Sequence, residues 1–230
     1  MTSIIHSLSP ITLIGGGKVG SGDLTLALSL APLCVAADGG ANVALAAGIE
    51  LAAAIGDFDS LDAEVRAQIP VARQHHIAEQ NSTDFDKCLR HIEAPVVLAV
   101  GFSGDRVDHQ MAALHTLVVR ADRPCVILGE HEVMFVCPRE ITLPTMAGDV
   151  VSLFPMKGLA GTSTGLEWPI DGLLLSPGER VGTSNRALGP VILTMPEAGM
   201  LCFVPRRMLA EVIAALSALP THAKWPARAR

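Results

Sequence analysis

The chain has 230 residues, half of them hydrophobic, and a formal net charge of −6. That length admits one large domain or two modest ones, with enough apolar content for a sizeable core. No run of about eighteen apolar residues occurs, so no membrane partner is expected. The lack of tyrosine and of any Lys/Arg cluster ahead of the tail argues against nucleic acid.

Met1 to Pro10 shows neither a cationic region nor a signal-peptide core. Ile11 to Ile14 reads as a short strand ending in glycines. Leu24 to Leu30 reads as helix, Leu33 to Ala37 as strand, Ala41 to Ala47 as helix and Leu51 to Ile55 as strand. Asp62 to Gln68 is helical in pattern, Val71 to Ile77 strand-like, and Asp84 to His91 opens a helix. Pro95 to Val100 is a buried strand, followed by a glycine loop, a helix from His109 to Val119 and a strand from Cys125 to Leu128. Continuous apolar strands alternating with helices predict an α/β fold, a mainly parallel sheet with helices on both faces.

The pattern changes near Pro138. Short strand-like segments split by Gly and Pro follow, among them Val150 to Phe154, Gly172 to Leu175, Val191 to Thr194 and Leu201 to Val204. They predict a C-terminal β-sandwich domain, closed by a helix from Met208 to Leu219. The expected division is residues 1–137, 138–220 and a short basic tail, 221–230, read as a loose end. The five cysteines form no CxxC pair. Buried free thiols in a reducing cytoplasm are the expected state, and no zinc site is supported.

Gly15-Gly16-Gly17-Lys18-Val19-Gly20 matches GxGxxG after a strand, with Asp38 about twenty residues on, the spacing of a dinucleotide fingerprint. On that reading the chain is an NAD-type oxidoreductase holding its cofactor on Gly15, Gly17 and Gly20. Ser21-Gly22-Asp23 breaks the helix where the fingerprint needs it to begin. The competing account is a plain strand-to-helix turn.

Gly56-Asp57-Phe58-Asp59-Ser60 places two carboxylates two residues apart at a strand end. A polar loop explains them, since Gly, Asp and Ser favour turns. A bound cation also does, because hard carboxylate oxygens suit Mg²⁺. Three further loops carry acids: Asp38-Gly39-Gly40-Ala41-Asn42, Asn81-Ser82-Thr83-Asp84-Phe85-Asp86-Lys87 and Gly101-Phe102-Ser103-Gly104-Asp105-Arg106-Val107-Asp108-His109. Each has a bland account alone; Ser82 or Thr83 can cap a helix with Asp86 as matching acid, for instance. Together, at the carboxyl ends of strands, they fit phosphoryl or pyrophosphoryl transfer. Lys87 and Arg106 are the candidate cations, and Gly39-Gly40 and Ser103-Gly104 the candidate close-approach loops. No GxxxxGK[ST] is present.

The segments Asp38 to Asn42, Gly56 to Ser60, Thr83 to Lys87 and Gly104 to His109, in this order, resemble the motifs of the thiamine pyrophosphokinase family. Gly165-Leu166-Glu167-Trp168-Pro169 and Thr183-Ser184-Asn185 are similar to further motifs of it. The resemblance implies transfer of a pyrophosphoryl group from ATP to the thiamine hydroxyl, with Mg²⁺ as cofactor. It also implies an α/β domain followed by a β-sandwich, and a homodimer with active sites near the interface.

Carried over by motif position, Asp38, Asp57, Asp59 and Asp84 form the metal and phosphate centre, with Asp59 or Asp84 accepting the hydroxyl proton. Lys87 and Arg106 contact ATP phosphates and Asp108 supports them. Gly39, Asn42, Ser103 and Gly104 lie along the nucleotide. Trp168, Thr183, Ser184 and Asn185 form part of the thiamine pocket, the tryptophan as an aromatic wall for a flat cation. His75-His76 has no partner motif and is given a structural or surface role; Asp105 is expected to face solvent.

Overall fold

The computed structural model describes residues 3–104 and 106–227; Asp105 lies outside them. The chain divides into two compact units, residues 1–116 and 117–230.

The first unit alternates strands and helices in the order read from the sequence. It contains β1 (Ile5–His6), β2 (Ile11–Ile14), α1 (Asp23–Leu30), β3 (Leu33–Ala37), α2 (Gly40–Ala46), β4 (Ala53–Gly56) and α3 (Ala63–Gln68). After a 3₁₀ turn (Val71–Arg73) come β5 (Gln74–His76), α4 (Asp84–His91), β6 (Ile92–Glu93) and β7 (Val97–Val100); α5 (Val107–Val119) carries the chain onward. β3, β4 and β5 pair parallel in that order, β2 pairs parallel with β7, and β1 with β6. β2, β4 and β7 are buried along their whole length, as strands covered on both faces must be. Cys34, Ala36, Ala54, Leu51 and Phe58 pack with Leu24 and Leu28 of α1 and Val43 of α2. The small side chains on β3 and β4 let the helices approach closely. The predicted strand over Val71–Ile77 is half 3₁₀, because Pro70 at φ −54° starts a turn.

α4 shows why local sequence sets an element. Its N-cap is Thr83, whose side chain accepts the Asp86 N–H at 3.3 Å. Asp84 and Asp86 stand in its first turn and Arg90 and His91 in its last, matching the helix dipole at both ends.

The second unit is built of antiparallel pairs, so strand pairing over the chain as a whole is mixed rather than mainly parallel. Its strands are β8 (Cys125–Leu128), β9 (Glu132–Val136), β10 (Glu140–Leu143), β11 (Val150–Pro155), β12 (Leu159–Ala160), β13 (Thr162–Leu166), β14 (Leu174–Leu175), β15 (Gly182–Thr194) and β16 (Met200–Pro205), followed by α6 (Leu209–Ser217). β8, β9, β16, β11 and β15 pair in sequence. β15 is 13 residues long. Residues 182–186 pair with β11, while residues 187–194 pair with β13 and β10. Gly189 and Pro190 look like breakers in the sequence but lie just past this hand-over, within the irregular stretch of the β13 pairing, where the strand continues without ending.

The tail is not loose over its described part. Residues Thr221–Ala223 form a 3₁₀ turn, and the Arg139 N–H donates to Ala223 O at 2.9 Å. The Trp225 ring is buried, its Nε1–H donates to Cys137 O at 2.8 Å, and the Arg139 guanidinium lies 5.2 Å from the ring centroid. Trp225→Ala is therefore expected to lower unfolding free energy by about 3–5 kcal/mol, measured by urea denaturation. A loss below about 1 kcal/mol would show that the tail is not docked in solution.

Candidate active site

The loops following β2, β3, β4, β5 and β7 all leave the carboxyl ends of parallel strands, where α/β folds bind ligands. Asp38 follows β3 with φ 43°, in the left-handed region, and is 3% exposed. Its N–H donates to Ile55 O at 3.0 Å, and its Oδ2 accepts the Ser60 N–H at 3.0 Å. Its Oδ1 is buried with no hydrogen-bond partner. A side chain at Gly56 would place Cβ 2.8 Å from Asp38 Cβ, so the first Gly of Gly-Asp-Phe-Asp is required to seat Asp38. Gly40 is required too: a Cβ there would lie 2.0 Å from Ile14 O.

The β4 loop turns at Phe58, φ 63°. The Phe58 ring is held by the Arg66 guanidinium, 4.7 Å from its centroid, and by the His76 ring at 5.6 Å. That gives His76 a structural contact. Asp57 and Asp59 stand on either side of this anchored residue. Asp57 Oδ2 accepts from Lys87 Nζ at 2.7 Å and from Gln80 Nε2 at 3.1 Å, and its Oδ1 accepts the Asp59 N–H at 3.3 Å. Asp59 accepts from the Ser60 hydroxyl at 2.9 Å. Lys87 also donates to Asp84 Oδ1 at 3.0 Å and is 1% exposed.

The charges explain one another. The Lys87 hydrogen bond holds the Asp57 carboxyl below its ordinary pKa. Burial pushes the Lys87 ammonium down, but the hydrogen bonds and charges of Asp57 and Asp84 outweigh it and raise it above its usual value. Burial pushes Asp38 up; the Ser60 N–H opposes, and the negative charges of Asp84, Asp57 and Asp59 add to the rise. Asp38, Asp57 and Asp59 each offer a carboxylate oxygen, all within 4.8 Å of one another. Three hard oxygens so placed, with the Oδ1 of one of these residues, Asp38, buried and unpartnered, fit a divalent cation such as Mg²⁺. Asp84 stands on the Lys87 side of this trio.

Not every residue singled out from the sequence joins the cluster. Both polar atoms of the Asn42 amide tie down the next loop, Nδ2 donating to Ser60 O and Oδ1 accepting the Asp62 N–H, each at 3.2 Å. Gly39 caps α2. Arg106 and Asp108 are exposed and pair with each other at 2.7 Å. Gly104 is exposed at φ 89°, next to Ser103. Their loop is tied to α4 through Phe102, whose ring lies 4.4 Å from that of Phe85.

The GxGxxG segment has a packing explanation. The Gly17 N–H donates to Gly101 O at 3.0 Å, and a Cβ on Gly15 or Gly17 would lie 2.7 Å from that oxygen. Helix α1 begins only at Asp23, after Gly22 at φ 84°, too late to present its N-terminus to a pyrophosphate on these glycines.

In the second unit, Asn185 is buried and locks Trp168 from both sides. Its Nδ2 donates to Trp168 O at 2.6 Å, and its Oδ1 accepts the Trp168 N–H at 3.2 Å. The Trp168 side chain itself is 54% exposed. Thr183 and Ser184 are exposed; Ser184, at φ 61°, donates its N–H to Ser152 Oγ at 2.9 Å.

Sequence reasoning missed Gln80, Glu79 and Arg90. Gln80 touches Asp57 across 23 positions of chain, and nothing local to a polar stretch marks such a contact. Arg90, three residues after Lys87 on α4, carried the one available signal, helical spacing.

The family model described as the thiamin pyrophosphokinase catalytic domain matches residues 24–128, and that for the thiamin pyrophosphokinase vitamin B1 binding domain matches residues 138–194. The chain belongs to the thiamin pyrophosphokinase family. All of Asp38, Asp57, Asp59, Asp84 and Lys87 fall in the first match, and Trp168 and Thr183 to Asn185 in the second. Gly15 to Gly20 falls in neither, and the oxidoreductase reading finds no support.

Among relatives of the thiamin pyrophosphokinase family, thiamine pyrophosphokinase 3 of Oryza sativa subsp. japonica is 26% identical over 151 residues, covering 56% of each chain. Thiamine pyrophosphokinase 1 of Arabidopsis thaliana is 28% identical with the same coverage. This chain thus spans little more than half the length of those relatives. Among solved structures, thiamin pyrophosphokinase from Geobacillus thermodenitrificans is 26% identical with a TM-score of 0.68, covering 85% of this chain and 96% of that one. Thiamin pyrophosphokinase from Candida albicans, 14% identical with a TM-score of 0.71 and coverage of 87% and 92%, shares the fold.

Proposed function

We propose that the protein transfers the pyrophosphoryl group of ATP to the hydroxyl of thiamine, giving thiamine diphosphate and AMP. The observation that carries this is the convergence of the Asp38, Asp57 and Asp59 carboxylates to within 4.8 Å, with Asp38 Oδ1 buried and unpartnered, beside a buried Lys87 in a chain of this family. Asp38, Asp57 and Asp59 hold Mg²⁺, which when bound supplies positive charge to the phosphate oxygens. Lys87 acts as the internal counter-ion shared by Asp57 and Asp84, rather than as a phosphate grip. With three acids assigned to the cation, Asp84 remains to accept the hydroxyl proton; its side chain is 31% exposed and its Oδ1 is steadied by Lys87. The hydroxyl oxygen attacks the β-phosphorus in line, the bond to the α-phosphate oxygen breaks, and AMP leaves with that bond's electrons.

Gly39, Ser103, Gly104 and Arg106, with Asp108 orienting it, border the nucleotide. Trp168 is the aromatic wall for thiamine, steadied by Asn185, with Thr183 and Ser184 beside it. The second unit serves as a β-sandwich for thiamine binding and homodimerisation, and residue 137 is the functional boundary, in keeping with matches ending at 128 and starting at 138. Phe154, Leu174, Leu188 and Ile192 leave apolar surface exposed on its strands, which suits a second copy. A cytoplasmic location is in keeping with five free, buried cysteines. Among the described residues no helix is long and apolar enough to cross a membrane.

Incubation with ATP, Mg²⁺ and thiamine tests the reading. AMP that forms only with thiamine supports it; ADP instead would indicate transfer of a single phosphoryl group.

A further inference from the structure

The residues ahead of α4 close into a ring. Glu79 Oε2 accepts the Asn81 N–H at 2.8 Å, while its Oε1 accepts from the Ser82 hydroxyl and from the Arg90 guanidinium. Arg90 also donates to Ser82 Oγ at 2.7 Å, and its Nε lies 3.1 Å from Asp86 Oδ2. Arg90 is 15% exposed, so the clamp is anchored in α4. Hydrogen bonds from Ser82 and Arg90 hold the Glu79 carboxyl at about 2, so Glu79 stays ionised near neutrality. Gln80 lies within the clamped segment. Its amide reaches out to Asp57 Oδ2, the oxygen that Lys87 also holds.

We propose that Glu79 and Arg90 are positioning residues acting through Gln80: they fix the 79–82 segment so that Gln80 and Lys87 together grip Asp57 Oδ2. The Asp57 carboxylate is then held from turning, with Oδ1 kept on the Asp59 side. A ligand carboxylate gripped in this way needs no reordering when it meets a cation. This inference rests on the cation reading of the Asp38, Asp57 and Asp59 trio.

The test is a Mn²⁺ titration of the full chain, followed by electron paramagnetic resonance without nucleotide or thiamine. Gln80→Ala and Glu79→Ala are each expected to weaken Mn²⁺ about 10-fold. The double variant is expected to be no weaker than Gln80→Ala, because one acts through the other. Arg90→Lys should restore most of what Arg90→Ala loses. Wild-type Mn²⁺ affinity in Gln80→Ala, or losses that multiply in the double variant, overturns the proposal. Gln80 is exposed, so its variant answers the question even if those at Glu79 or Arg90 fail to fold. A wild type that binds Mn²⁺ with these losses but makes no AMP would refute the pyrophosphokinase reading and leave the positioning role standing. A wild type that does not bind Mn²⁺ refutes the positioning role.

Discussion

Asp57→Asn is expected to lower thiamine-dependent AMP formation by more than about 100-fold, a barrier increase of about 2.7 kcal/mol. The substitution keeps the shape and a hydrogen-bond acceptor for Lys87, but it removes one negative oxygen from the trio of Asp38, Asp57 and Asp59. It also leaves the buried Lys87 with Asp84 as its charged partner. The fold should survive, so the far-ultraviolet circular dichroism of the variant should match wild type. Retention of more than about a tenth of the wild-type rate, under about 1.4 kcal/mol of barrier, would remove Asp57 from the cation centre.

Lys87→Met is expected to act on stability first. Methionine fills the space of the aliphatic stem but leaves Asp57 and Asp84 without their shared cation, and breaking one side of a buried ion pair costs about 3–5 kcal/mol. The pH profile gives the sign. In the wild type Asp57 has a lowered folded pKa, so its contribution is present above its unfolded value near ~3.9 and is lost as pH falls through the folded one. Lys87 has a raised folded pKa, so its contribution is present below ~10.4 and is lost as pH rises through the folded one.

In the variant both contributions disappear, and the burial that the Lys87 hydrogen bond outweighed pushes the folded Asp57 carboxyl up. The variant's unfolding free energy should therefore rise from about pH 7 to about pH 5 by more than that of the wild type, in which Asp38 is the carboxyl already pushed up. Urea denaturation at the two pH values measures this, and parallel profiles for the two proteins would contradict the counter-ion role. Added Mg²⁺ should stabilise the variant more than the wild type, since a cation then supplies the missing charge.

The cluster was legible in the sequence to the extent that it is made of loop residues following strands. The apolar runs at Ile11, Leu33 and Val97 fixed where the strands end, and Asp38, Asp57 and Asp84 stand just past a strand or at a helix start. Thr83 was legible as a cap because capping is a contact within four residues. What was not legible is carried by contacts between distant residues. The burial of Lys87 depends on two acids, one of them 30 positions away, and a lone lysine between acids on a helix reads as solvated. Gln80, Glu79 and the Trp225 anchor belong to the same class. β15 was missed for a different reason: Gly189 and Pro190 interrupt a pattern but not a strand. The pairing of the second unit tips the whole from mainly parallel to mixed, and short strands give no local sign of direction.

The contact between the loops after β2 and β7 carries a consequence for how this sequence can change. Gly15 and Gly101 each leave no room for a Cβ against the other's carbonyl, at 2.7 Å in both directions. A substitution on one side displaces the other, and the Gly101 loop leads through Phe102 to the ring of Phe85 on the helix that bears Asp84 and Lys87. Because each clash is with a backbone carbonyl and no residue is smaller than glycine, a change at Gly15, Gly17 or Gly101 has no compensating partner among the other two. All three should be recovered from a library as glycine, while Gly16 and Gly48, with nothing closer than 3.5 Å and nothing within 4 Å respectively, face no such crowding from neighbours.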